Sequence, residues 1–337
     1  MGRWKTVYTP QELTGASVLP VTPGRKTGKK RGYRLGYDWR TQSELQIMIW
    51  PGLVFMIVFN FLPLFGLLIA FKNYSPISGI SGIFTGPWDN FQNFTELFQS
   101  FQFWPMVRNT VGINLLGFVV GFPVTILFAL FLSEITNRKF KSTIQTVTYL
   151  PHFLSWVIYG GLLINLLNPE SGVVDYLLLH LHLVRQPVQF LTNPQYFWPL
   201  AAITGLLKDL GWSAILYLAA IAGVDYQLHE AAAIDGAGRF RRMWHVTIPG
   251  ILPTIMILMI FAVSGMLNNN FNQIYVLQNS LNLPTSQVIS TYVYQTGLEQ
   301  FQFAEATAIG LMNSIMAVVL LVGANFASKK LTDSGLF

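Results

Sequence analysis

Along the chain, long apolar runs alternate with short polar ones on the length scale of a membrane. Residues 47–71, IMIWPGLVFMIVFNFLPLFGLLIAF, carry no charged side chain over 25 positions. At about 1.5 Å per helical residue, such a run crosses a hydrocarbon core of about 30 Å. Further stretches free or nearly free of charge lie at 109–133, 144–167, 196–222, 251–271 and 304–327. The pattern predicts six spanning helices, an all-α membrane protein. The first run is too long for a secretory signal, starts too far along the chain and ends in no small-residue cleavage site. Pro51, Pro63, Pro123, Pro151, Pro199 and Pro253 fall in or beside the runs. A bilayer tolerates them where neighbouring helices re-satisfy the freed carbonyls, so the spans are expected to pack as one bundle.

Composition supports the same solvent: 52% of residues are hydrophobic and only 11% charged, less than half the usual share of about 25% in soluble proteins. Zero cysteines remove thiolate catalysis, disulfides and Cys-ligated metal sites. A net charge of +6 would invite a nucleic-acid reading in a soluble chain, but the placement of the cations gives it another meaning. Nine of the 21 lie between Arg3 and Arg40, and eight more fall at Arg138, Lys139, Lys141, Arg239, Arg241, Arg242, Lys329 and Lys330. With six spans all 17 share one side, whereas Lys72, Arg108 and Arg185 fall on the other and Lys208 lies inside the fourth span. The positive-inside rule then places both termini in the cytoplasm. Residues 1–43 read as a basic, disordered tail near anionic lipid, and 44–330 as the membrane domain. The GRKTGKK run in the tail fails as a phosphate loop: Gly24 and Gly28 are four apart, and Lys30 stands where Ser or Thr would bind magnesium.

The loop between spans four and five, residues 223–250, is the most informative segment. Glu230-Ala231-Ala232-Ala233 favours a short helix with a closely approachable surface, Gly236 and Gly238 permit a sharp turn, and Arg239 to Trp244 form a basic, aromatic second arm before Pro249. Taken alone, this is also the composition of an amphipathic connector with interfacial aromatics. The order of residues, Glu-Ala-Ala, three residues, Gly, nine residues, then Val246-x-Ile248-Pro249, resembles the EAA motif of permease subunits of ATP-binding-cassette importers, with Val246 and Ile248 in place of Ile and Leu. Pro63–Tyr74, Trp88–Phe94, Asn109-Thr110, Gly211-Trp212, Tyr217–Gly223, Thr291–Leu298 and Ala306–Ser314 extend the resemblance over about residues 45–330, toward the polysaccharide and oligosaccharide branch. That branch includes permeases for alginate, aldouronate and related polymer fragments, and an alginate-importer permease is the nearest fit. The resemblance implies a type I importer bundle in a bacterial inner membrane. It implies that Glu230, Ala231, Ala232, Gly236 and Pro249 form a coupling helix seated on an ATPase subunit. The implied partners are a second homologous permease, two ATPase subunits that bind ATP and magnesium, and an external or periplasmic solute-binding protein. No cofactor is implied for this chain, which would be a non-catalytic subunit.

Polar groups inside spans are candidates for the solute path, because burying them in lipid is costly. Lys208 and Asp209 are the charged pair within a span, with Trp212 one turn on. Asn268, Asn269 and Asn272 sit in an amide-rich patch ending the fifth span, and Asn313 lies in the sixth. Amides and aromatics suit sugar hydroxyls and ring faces, although interhelical hydrogen bonds use the same side chains. Lys208 and Asp209 are adjacent on a helix and so do not face each other; pairing with a neighbouring helix competes with solute contact as their role. His180 and His182, without cysteines or clustered acids, read as a solvated pair. The alternative to an ATP-driven importer is a self-sufficient secondary transporter or channel. That class calls for internal repeats and ionisable relays, neither evident in the sequence.

Overall fold

A computed structural model describes residues 39–267 and 270–332. It divides into two compact units, Met1–Met56 and Ile57–Phe337. The described part of the first unit is helix α1 (Trp39–Met56). The tail expected over 1–43 therefore lies outside the described residues up to 38, and its last residues belong to α1. In the second unit the chain continues as a π-helical turn at Ile57–Phe61 and a 3-10 run at Leu62–Phe71, with Pro63 near the start of that run.

There follow α2 (Gly79–Thr85), α3 (Gln92–Gln99), α4 (Phe103–Ser133), α5 (Arg138–Tyr149), α6 (Trp156–Leu166), α7 (Val173–His180), α8 (Phe197–Ala222), α9 (Tyr226–Ile234) and α10 (Arg239–Arg242). The remainder comprises α11 (Ile248–Gly265), α12 (Phe271–Leu277), α13 (Leu283–Ser286), α14 (Ile289–Tyr294) and α15 (Phe303–Thr332). Among the described residues there is no strand, only an isolated bridge between Lys72 and Trp88. Among the described residues five segments are long and apolar enough to cross a membrane: Gln46–Phe71, Phe103–Ser133, Pro194–Ala222, Arg239–Gly265 and Phe303–Gly323.

The third expected span, 144–167, is not one straight helix. Its residues fall in Arg138–Phe153 and Trp156–Leu166, which meet at 106°. Pro151 supplies no backbone N–H, so the helix tightens into a 3-10 turn at Leu150–Phe153 and ends at an extended Leu154. Ser155 then caps α6, its hydroxyl accepting from the Ile158 N–H at 3.3 Å. The apolar run was legible in the sequence; its division was not, because a proline in a spanning helix can kink it or end it depending on what receives the freed carbonyls.

Helices α4 and α8 form the central pair of the second unit, with Ala129, Ala214 and Tyr217 buried between them against Ile255 and Leu258 of α11. A second cluster joins α3, α4, α14 and α15 through Leu97, Met106, Ile289 and Ile309. Lipid tails are as apolar as these side chains, so apolar burial alone gives little drive to associate within a bilayer; close packing and polar contacts decide the arrangement. Gly211 is one such close approach. A Cβ there would lie 2.5 Å from the backbone carbonyl of Thr148, so glycine lets α8 touch the end of α5.

Polar ties fix the ends of the helices. Buried Asn109 donates from Nδ2 to the carbonyls of Pro284 and Gln287 at 3.0 and 3.1 Å. Thr110 Oγ1 accepts from the Ile289 N–H at 2.9 Å. Asn282 donates to the Leu191 carbonyl at 2.8 Å. These contacts hold the segment around α13 against α4 and the start of α8. Tyr292 donates its hydroxyl to Glu305 at 3.0 Å, and burial, with the nearby Glu305 charge, pushes its phenol above the usual range.

Candidate functional site: a cavity between spans and an exposed hairpin

At the break between α5 and α6 the Pro151 carbonyl accepts from the Leu154 N–H at 3.2 Å, and α8 supplies further donors to this turn. Lys208 donates from Nζ to the carbonyls of Pro151 and His152 at 3.1 and 2.8 Å. Its ammonium also stands 5.5 Å from the Trp156 ring centroid and 6.0 Å from that of Tyr159. A buried cation, 5% exposed, would be costly without such acceptors. Asp209 turns to another group of the same break: its Oδ1 lies 2.8 Å from Nδ1 of His152. The His152 ring stacks on Trp212, with centroids 4.5 Å apart and planes 4° from parallel. Three residues expected on the solute path thus also hold the bent third span.

Between α4, α8, α11 and the start of α12 lies a cavity of about 700 Å³, within the usual range for small-molecule sites of about 300–1,000 Å³. Its walls are mostly apolar, with Asn114, Asp209, Trp212, Asn270 and Gln273 among the polar and aromatic lining groups. Asn270 donates to the Asn114 side-chain oxygen at 3.2 Å. Gln273 donates from Nε2 to the Ala201 carbonyl at 2.6 Å and to Thr204 Oγ1 at 3.0 Å. Among the described residues Asp209 is the one carboxylate on this wall and no lysine or arginine joins it, because Lys208 is directed into the break.

Of the other residues expected here, Asn272 is exposed on α12 and Asn313 is partly buried on α15, and neither lines the cavity. Asn268 and Asn269 lie outside the described residues. Asn270 and Gln273 belong to the amide-rich patch read from the sequence but are not among its candidates for the solute path, and Asn114 lies outside that patch. Asn270 and Gln273 are three apart, so a helix would have placed them on one face, and Asn114 is an isolated amide in an otherwise apolar run.

At its other end α8 passes through Gly223 into α9, whose first turn is capped by Asp225 accepting from the Gln227 N–H at 2.9 Å. Helix α9 ends in a Schellman turn: the Ala237 N–H donates to the Ala232 carbonyl at 2.9 Å and the Gly236 N–H to Ala233 at 3.1 Å. Gly236 adopts φ +78°, a left-handed conformation that suits glycine. The hairpin returns through α10 and a π turn at Met243–Thr247, with Pro249 in the first turn of α11. Glu230 and Ala231 are exposed and Ala232 partly buried, while Tyr226, Leu228 and Ile234 are 71%, 54% and 87% exposed. These large apolar side chains lie open on a short helix outside the candidate spans.

A bundle of membrane-crossing helices around a mostly apolar cavity with a few polar groups on its wall, with an exposed hairpin carried by one of the cavity helices, defines a membrane transport subunit. The chain belongs to the family described as binding-protein-dependent transport system inner membrane component, whose model matches residues 121–332. It is similar to protein LplB of Bacillus subtilis, 38% identical over 306 residues covering 90% of this chain and 95% of that one. It is 37% identical over 324 residues to the polygalacturonan/rhamnogalacturonan transport system permease protein YteP of the same organism, covering 96% and 99%. Among solved structures it is similar to a chain of a bacterial ABC transporter involved in import of the acidic polysaccharide alginate. There the TM-score is 0.80 at 36% identity, over 89% of this chain and 99% of that one. A second such structure, with an alginate pentasaccharide-bound periplasmic protein, gives 0.81 at 35% identity, over 90% and 100%.

The fold is therefore that of an ABC importer permease, a multi-pass inner-membrane component and not itself a catalyst, as the sequence resemblance implied. The self-sufficient transporter or channel gives way to this assignment.

Proposed function

We propose that the chain is one of two permease subunits of an importer that carries an oligo- or polysaccharide delivered by an external binding protein. The likeness to YteP, a polygalacturonan/rhamnogalacturonan permease, and to the alginate transporter supports a saccharide solute. The observation that carries the reading within this chain is the continuity of α8. One helix bears Asp209 and Trp212 on the cavity wall and runs about 20 Å further to the hairpin with the exposed apolar surface.

In this reading α9 docks on an ATPase subunit, with Glu230 paired to a cation of that subunit, Ala231 and Ala232 against its cleft and Gly236 making the turn. ATP and magnesium belong to the ATPase pair. Its closure moves the two hairpins together, and α8 transmits that movement to the cavity wall and, through Lys208, to the α5–α6 break, giving alternating access. The cavity would pass the solute along Asn114, Asp209, Trp212, Asn270 and Gln273. Both termini and the hairpin face the cytoplasm.

The test is ATP hydrolysis by the assembled complex, stimulated by binding protein loaded with uronate or neutral oligosaccharides. Selective stimulation by one saccharide class is the expected result. Equal stimulation by unrelated solutes removes the saccharide assignment.

A further inference from the structure

The arm that follows the Gly236 turn carries charges and rings that docking of α9 leaves unused. Arg239, Arg241 and Arg242 lie within the single turn of α10, and Phe240 and Trp244 beside them are 66% and 59% exposed. One contact fixes their depth. The Phe240 ring meets that of Phe131 edge-on, with centroids 6.2 Å apart, and Phe131 lies two residues before the end of the spanning helix α4. The arm is therefore held where α4 leaves the hydrocarbon.

Beside it a cleft of about 280 Å³ is lined by Asp235, Arg241, Arg242 and His245, among others. Two arginines and one acidic residue line it, and among the described residues no ion pair joins Arg239, Arg241 or Arg242 to an acid of this chain. His245 Nδ1 lies 3.0 Å from the Arg241 carbonyl, which anchors the ring on the hairpin itself.

We propose that this arm binds the headgroup of an anionic phospholipid, with the phosphate taken by Arg241 and Arg242 and the chains bordered by Phe240 and Trp244. A guanidinium offers forked donors that match phosphate oxygens, and exposed aromatic rings at the border of the hydrocarbon sit at headgroup depth. Helix α9, with Ala231, Ala232 and its exposed apolar side chains, already offers a surface for an ATPase cleft. A one-turn element carrying three arginines between exposed rings, pinned to the end of a span, matches a lipid surface instead. The lipid would hold one arm of the hairpin against the membrane while the other docks, so that force on α9 reaches α8 and α11 together.

The test uses the whole complex in nanodiscs made from mixtures of phosphatidylcholine and phosphatidylglycerol, with co-purified lipid counted by mass spectrometry. Wild type is expected to retain phosphatidylglycerol selectively. Arg241→Gln and Arg242→Gln should each lower that selectivity about fivefold, while lysine at either position preserves most of it and the ATPase subunits stay bound. Equal retention of the two lipids by wild type overturns the proposal. So does unchanged selectivity in the glutamine variants, and so does loss of the ATPase in place of loss of lipid, which would assign the arginines to a protein contact.

A second measurement does not depend on those variants. The chain has no cysteine, so a nitroxide on Phe240→Cys, in a complex whose other subunits lack cysteine, reports depth by its accessibility to oxygen and to a water-soluble relaxant. Headgroup depth is expected, and a label in bulk water overturns the proposal.

Discussion

Lys208 reaches from α8 to the carbonyl of His152 at 2.8 Å, and so one spanning helix completes the hydrogen bonding of another at the point where that other breaks. The adjacent Pro151 carbonyl receives the same ammonium. Replacing Lys208 with Met should lower stability by about 1–3 kcal/mol, because the half-buried His152 carbonyl then loses its donor and the Pro151 carbonyl keeps only the Leu154 N–H. Thermal unfolding of the purified complex in detergent measures this. A wild-type midpoint for Lys208→Met would mean that the break does not depend on α8.

Asp209 is the milder case. Its side chain is 48% exposed and its partner His152 31%, so Asp209→Asn should change stability by less than about 1 kcal/mol. The same variant should alter the ratio of ATPase stimulation by uronate against neutral saccharides, because among the described residues Asp209 is the one carboxylate on the cavity wall. A preserved ratio would remove Asp209 from the solute path.

Gly211 and Gly117 make a matched pair. A Cβ at Gly211 meets the Thr148 backbone at 2.5 Å, while at Gly117 nothing lies within 4 Å. Gly211→Ala should destabilise by about 1–3 kcal/mol through forced separation of α8 from α5. Gly117→Ala should be neutral or stabilising by up to about 1 kcal/mol, from helix propensity alone. Equal effects on unfolding would show that α5 and α8 do not pack at this distance.

The hairpin predictions concern coupling. Gly236→Val places a β-branched side chain at φ +78°, at a cost of about 1–2 kcal/mol, and should loosen the turn between α9 and α10. Binding-protein-stimulated ATP hydrolysis should fall while membrane insertion persists. Glu230→Lys should abolish stimulation with the complex still inserted, and normal coupling in that variant would sink the role given to α9.

Orientation is open to labelling because the chain has no cysteine. In intact spheroplasts, Ser78→Cys should react with a membrane-impermeant maleimide and Ser17→Cys should react only after lysis. The reverse pattern would contradict termini on the cytoplasmic side.

The sequence by itself determined the apolar runs, the expected cytoplasmic bias of the arginines and lysines, and the order of residues in the hairpin. Each is a local property: run length against bilayer thickness, charge against the positive-inside rule, and a glycine where a left-handed turn occurs. Tertiary structure decided what the polar residues inside those runs face. Lys208 and Asp209 are neighbours in sequence, yet one is directed into the α5–α6 break and the other reaches His152 from the cavity wall. Pro151 is one of several prolines in the runs, yet here the helix turns by 106°, because Ser155 caps the next segment and Lys208 donates to the carbonyls of Pro151 and His152. Asn114 lines the cavity with Asn270 and Gln273, while Asn272, from the same amide patch, faces outward. Which side of a helix meets a cavity depends on how it rotates against its neighbours. In a bilayer that rotation is set by close packing and interhelical hydrogen bonds, since nearly every face is apolar enough for lipid.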